Sequence, residues 1–140
     1  MDTKKFLIGT LVGGVAYFLL GFIVYAILLE DFFAAHAGTA TGVMKTAEMQ
    51  FWPLFLGNVG HAALLSYIFV KWANVKTFLA GLSAGAVVGF LMTLGHNLVQ
   101  YDTTNITDIT GALADVIVYT AMTAVVGGII GLVLGMGKKG

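Results

Sequence analysis

Three ionisable side chains, His61, His96 and Asp115, sit inside otherwise apolar sequence, with Asn58, Thr93, Asn97 and Tyr119 around them at helical spacing. Imidazole and carboxylate together can hold or pass a proton or bind a cation. An ionisable residue within a membrane span marks a functional position by default. Two other chemistries are served less well. Imidazole suits Fe, Zn and Cu, but no Cys-x-x-Cys-His or His-Glu-x-x-His context surrounds either His, so no metal or cofactor is expected. The absence of Cys removes thiolate ligands and Cys nucleophiles, and no nucleophile–base constellation is visible, so no enzyme is expected.

These groups must be positioned by membrane-spanning helices. Of the 140 residues, 59% are hydrophobic and 10% charged, with a mean hydropathy of +0.94. A soluble domain would carry about 25% charged residues. Apolar runs cover about 6–29, 53–71, 78–99 and 110–136, each near or above the ~20 residues that cross a bilayer as a helix. The expectation is an all-α, four-helix transmembrane bundle forming a single integral membrane domain over 1–140, in contact with lipid. A net charge of zero gives no reason to expect nucleic acid as a partner.

The charges predict the orientation. All seven basic residues are Lys, and Lys4, Lys5, Lys71, Lys76, Lys138 and Lys139 fall at one end of the four spans. Glu30, Asp31, Lys45, Glu48, Asp102 and Asp108 fall at the other, with Asp115 just inside it. The positive-inside rule then places both termini in the cytoplasm and the two acidic connections outside. Ala35-His36-Ala37 resembles a signal-peptide cleavage site, but the preceding apolar run is too long for one and Glu30-Asp31 intervenes, so an uncleaved first helix is expected.

The sequence also contains a candidate internal repeat. "KKFLIGTLVGGVAYFLLGF" from Lys4 aligns without gaps on "KTFLAGLSAGAVVGFLMTL" from Lys76, an offset of 72. Phe6, Leu7, Gly9, Gly13, Val15, Phe18 and Leu19 match Phe78, Leu79, Gly81, Gly85, Val87, Phe90 and Leu91. A duplicated two-helix hairpin would be a parallel repeat about the membrane normal. The short Trp72–Thr77 connection predicts that the second and third spans are antiparallel neighbours. In the long Glu30–Trp52 connection, "AAHAGTATG" reads as loop and "VMKTAEMQFW" as a short interfacial helix. Asn105-Ile106-Thr107 is a formal glycosylation triplet by chance. Trp52, Trp72 and Tyr101 read as interfacial belt residues.

Two stripes at a spacing of four run along the third and fourth spans. One is Gly81, Gly85, Gly89, Thr93 and Asn97; the other is Asp115, Tyr119, Thr123, Gly127, Gly131 and Gly135. Gly9 and Gly13 give the first span a shorter version. Such faces let backbones approach closely in lipid, where no hydrophobic effect drives helix against helix. At 1.5 Å per residue, Asn58 and His61 lie ~8 and ~12 Å from the outer surface, His96 and Asn97 ~5 Å and Asp115 ~9 Å. The polar groups therefore converge on the outer half, as an outward-facing pocket or a polar clasp. His61 could bond Asn58 or a carbonyl, His96 could face the headgroups, and Asp115 could pair with either His.

Two roles are compatible with this pattern, the first the expected one and the second its alternative. One is a structural, assembly or accessory component, in a homo-oligomer or a larger membrane complex, with the polar cluster as glue between helices. The other is a small oligomeric transporter or channel for an ion or small solute, using His61 and Asp115.

The Lys-Lys start, the aromatic-rich end of the first span, the stretch "LLSYIFVKWANVKTFLAGLSAGAVVG" and the total of four spans carry a resemblance. The chain resembles small bacterial four-helix membrane proteins of the domain of unknown function 1761 type. That resemblance implies the same architecture and brings no activity with it. The Trp-Tyr-Ser-Pro pattern at the end of the family's first helix is replaced here by "IVYAILLEDFF".

Overall fold

The computed structural model describes residues 1–45 and 49–136. Helix α1 covers Thr3–Leu28, with ordinary α winding to Gly21 and wider π winding over Phe22–Leu28. Helix α2 is short, Glu30–Ala35. Helix α3 covers Trp52–Ala73 and finishes in π winding over Ile68–Ala73. Helices α4, Phe78–Thr103, and α5, Ile109–Gly135, are α-helical throughout. All but α2 are long and apolar enough to cross a bilayer, and the described residues contain no strand. The protein is an all-α bundle of four membrane-spanning helices.

Local signals set the helix ends. The side chains of Asp2, Thr77 and Asp108 accept hydrogen bonds from the backbone N–H of Lys5, Ala80 and Gly111, satisfying donors that the first turn leaves free. Pro53 occupies the first turn of α3, where its missing N–H costs nothing. Asn74 closes α3 in the left-handed region, φ 50°, which Asn tolerates. The helices are apolar outside as well as inside: Leu79 and Ile117 are both 71% exposed. A helix apolar all round needs lipid or protein on every side.

Packing is unequal around the bundle. Helix α5 lies against both α4 and α1, and α1 lies against α3. The core is built from Tyr17, Leu65, Phe69, Met122, Val126 and Ile130. Helices α3 and α4 scarcely touch along their length. The short turn between them had implied packed neighbours; it tethers them at one end only, because the small-residue face of α4 is occupied by α5.

The expected interfacial helix at "VMKTAEMQFW" is not formed over Val43–Lys45 or Met49–Phe51. Thr46, Ala47 and Glu48 lie outside the described residues, as do Lys138 and Lys139 of the charge pattern. The short helix is instead α2, which follows α1 directly.

Candidate functional site: a polar cleft between α3 and α4

One half of the bundle is closed by glycine. The buried residues of α4 are Gly81, Gly85, Gly89, Thr93 and Asn97, the whole of its four-residue stripe. A Cβ at Gly81 would meet the carbonyl of Gly127, and one at Gly127 would meet the carbonyl of Gly81. Backbone therefore lies on backbone, which only glycine permits. Gly89 faces the Thr123 side chain, while Gly131 and Gly135 face the carbonyls of Thr77 and Lys76 in and beside the turn. Gly9 and Gly13 serve other neighbours: they accept Ser66 and Ala62 of α3 and Ile130 of α5. We call this half the turn end.

In the other half α3 and α4 separate around a cleft of about 460 Å³. It is lined by Tyr25 of α1, His61 of α3, Thr93, His96 and Asn97 of α4, and Asp115 and Tyr119 of α5, with Met92 on its wall. At its floor is a void of about 10 Å³ beside Tyr17, Leu65 and Thr123, about the space of one water probe.

Asp115 is the centre of this cleft, and its partners are not histidines. Tyr25 Oη donates to Asp115 Oδ1 at 2.5 Å. Asn97 Nδ2 donates to Asp115 Oδ2 at 2.8 Å and to the Thr93 carbonyl at 3.1 Å. Both donors to the carboxylate are neutral. Each oxygen keeps a lone pair free, since a carboxylate offers about four acceptor sites.

His61 Nδ1 and Tyr119 Oη lie 2.7 Å apart. Whichever of them carries the proton, His61 Nε2 has no protein partner among the described residues. Tyr119 stacks on Tyr17 at 5.8 Å and 17°, and the Tyr17 hydroxyl donates to Thr123 Oγ1 at 2.8 Å. His96 lines the cleft, is exposed, and makes no side-chain hydrogen bond among the described residues. Asn58 is apart from this group: its Nδ2 donates to the Leu54 carbonyl at 2.8 Å, one turn back on its own helix.

Tyr17 and Tyr25 are absent from the sequence-derived set of polar residues. They continue the first-span series at the same spacing: Gly9, Gly13, Tyr17, Gly21, Tyr25. In unbroken α winding Tyr25 would point ~80° away from Tyr17. With ~4.4 residues per turn after Gly21, the two are ~10° apart, so the π segment returns Tyr25 to the face of Asp115.

A second polar contact fastens the cleft's end of the bundle. His36 Nδ1 and Asp108 Oδ2 are 3.0 Å apart. The backbone N–H groups of Gly38, Ala40 and Asp108 donate to the carbonyls of Ile106, Asn105 and His36. This clasp joins the loop after α2 to the α4–α5 connection. The Gly111 N–H, followed by the His36 ring, holds the Asp108 carboxyl below the usual carboxylate range.

No family model, curated protein or solved structure matches the chain, so its own geometry carries the functional reading.

Proposed function

We propose that this is a small solute-handling membrane protein, of transporter or channel type, that admits a small polar solute or ion to the cleft from one side of the bilayer. The single observation that carries this reading is the open cleft that His61, His96 and Asp115 line together. Its volume falls in the ~300–1,000 Å³ range of ligand pockets. Pure interhelical glue would leave these side chains saturated by one another; among the described residues His61 Nε2 and the His96 ring have no hydrogen-bond partner. The Lys pattern favours the cleft's end as the outer one and both termini in the cytoplasm, and the resemblance to small bacterial proteins points to a bacterial inner membrane.

The duplicated hairpin belongs to the same proposal. Tyr25 and Asn97 are equivalent at an offset of 72 and donate to opposite oxygens of Asp115. His36 and Asp108, also 72 apart, meet in the clasp. Equivalent positions converge in this way near an axis relating two repeats. The glycine zipper between α4 and α5 would hold the inner half shut.

A role in assembly is supported by one feature: Gly57 and Gly60 of α3 and Gly95 of α4 have open space where a Cβ would point. A second copy or a partner helix could seat there. Cysteine labelling separates the readings, because the chain has no native Cys. Met92→Cys should react with a membrane-impermeant maleimide applied to the clasp side of oriented membranes, and Ile117→Cys, on the lipid face, should not. If Met92→Cys is unreactive from both sides, the cleft is not open to water and the solute-handling reading fails.

A further inference from the structure

We infer that the cleft is a site for an organic cation, an amine or quaternary ammonium group, with Asp115 supplying the counter-charge and Tyr119 and His61 the aromatic wall. This rests on the cleft being open to solvent, as proposed above, and adds the class of solute it takes.

The charge count points there first. Ionisable groups within a membrane span are almost always paired. Asp115 is held by a phenol and an amide, and no Lys or His nitrogen lies within 4.0 Å of its oxygens among the described residues. No Lys lines the cleft, and the chain has no Arg to supply. The cleft therefore presents a carboxylate with no Lys or His nitrogen within 4.0 Å among the described residues, which disfavours anions and suits a cationic solute.

The lining then selects among cations. A Ca²⁺ ion takes about six to eight oxygen ligands. Here Asp115 shares the cleft lining with Thr93, His96 and Asn97, the rings of Tyr25, His61 and Tyr119 and the thioether of Met92. Among the described residues no three His, Cys, Asp or Glu side chains gather as a metal site would require. Aromatic faces beside a carboxylate suit a diffuse organic cation, which is weakly hydrated and attracted to ring quadrupoles. A volume of about 460 Å³ is far larger than a bare ion needs and accommodates a trimethylammonium head with an attached group. The free ring nitrogen of His61 stands ready for a hydroxyl or amide on the same solute.

The test uses the full-length Met92→Cys protein in lipid nanodiscs. Its labelling rates with a trimethylammonium-bearing and a sulfonate-bearing methanethiosulfonate are each divided by the rate with a small thiol in solution. The expected result is a preference of at least tenfold for the cationic reagent. Benzyltrimethylammonium and choline should slow the labelling, whereas choline's uncharged isostere 3,3-dimethylbutanol and NaCl at matched ionic strength should not. Adding Asp115→Asn should bring the preference to near one. Should that variant fail to fold, the reagent ratio and the choline competition decide the question without it. Equal normalised rates, or protection by the uncharged isostere or by NaCl equal to that by choline, would overturn the cation assignment while leaving the cleft intact. No reaction with either reagent would remove the solute-handling reading beneath it.

Discussion

The same substitution at two positions of α4 should change stability in opposite directions. Gly85 and Gly95 both become Ala. Helix propensity favours each change by about 0.5–1 kcal/mol. At Gly95 nothing lies within 4 Å of the new methyl, so that gain stands alone. At Gly85 the methyl would lie 2.5 Å from the Thr123 carbonyl oxygen and 3.2 Å from the Gly127 Cα. Ordinary contact begins near 3.4 Å, so α4 and α5 must part by ~0.9 Å, a gap that forfeits a quarter to a half of each contact's attraction. With on the order of 40 close atom pairs along the seam at ~0.15 kcal/mol each, the loss is ~1.5–3 kcal/mol. Gly85→Ala should therefore destabilise by about 0.5–2.5 kcal/mol net, and Gly95→Ala should stabilise by up to about 1 kcal/mol. Reversible unfolding in mixed micelles, followed by helical circular dichroism, measures both. Two effects of the same sign would show that the backbone contact between Gly81, Gly85 and Gly127 does not hold this seam together.

Tyr25→Phe removes the donor to Asp115 Oδ1 and should lower stability in the same assay by about 0.6–1.7 kcal/mol, the range for hydrogen bonds between helices in lipid; no change would mean that the hydroxyl is not engaged. Ser66 is fully buried and its hydroxyl has no hydrogen-bond partner among the described residues, so Ser66→Ala should be neutral or stabilising, and a loss above about 1 kcal/mol would reveal a missing partner. The Asp108 carboxyl is held below its ordinary range. It therefore contributes stability above the unfolded-state carboxylate value and loses that contribution as pH falls through the lower, folded value. The thermal-stability difference between wild type and Asp108→Ala should shrink steadily on acidification across that window, and a difference that grows instead would contradict the clasp geometry.

The four spans were legible because a hydropathic run of sufficient length has few other outcomes. The α4 stripe was legible for a different reason: glycine at a spacing of four has a single physical use in lipid, and Thr93 and Asn97 extend the same face. Tyr17 and Tyr25 were hidden by their chemistry. A Tyr in an apolar helix passes for a belt or core residue, and the π winding that aims Tyr25 at Asp115 leaves no signature in "GFIVYAIL". The partners of Asp115 could not be read because two His residues nearby were the obvious candidates, and the choice depended on which helices pack. An outward-facing pocket was one of two readings of the polar groups, and the choice between pocket and clasp was hidden for the same reason. A short turn says that α3 and α4 begin together, not whether another helix has already taken the face that would bring them together.

That competition for faces explains why the polar groups have an open side at all. Each hairpin is closed by a glycine pair of its first helix: Gly9 and Gly13 against Ser66 and Ala62, Gly81 and Gly85 against Thr123 and Gly127. The two hairpins are then joined through α1 and α5, with Ile130 seated on Gly13. Under the proposed duplication the counterpart of that α1–α5 seam is the seam between α4 and α3, and it is unmade. Closing it as well would bring α3 towards His96 and Asn97 and fill the cleft with protein side chains. Asp115 lies beside the open seam while its two donors, Tyr25 and Asn97, come from the first helices of the two hairpins. The carboxylate is thus held by the first helices of both hairpins but enclosed by neither, the arrangement on which the solute-handling proposal rests.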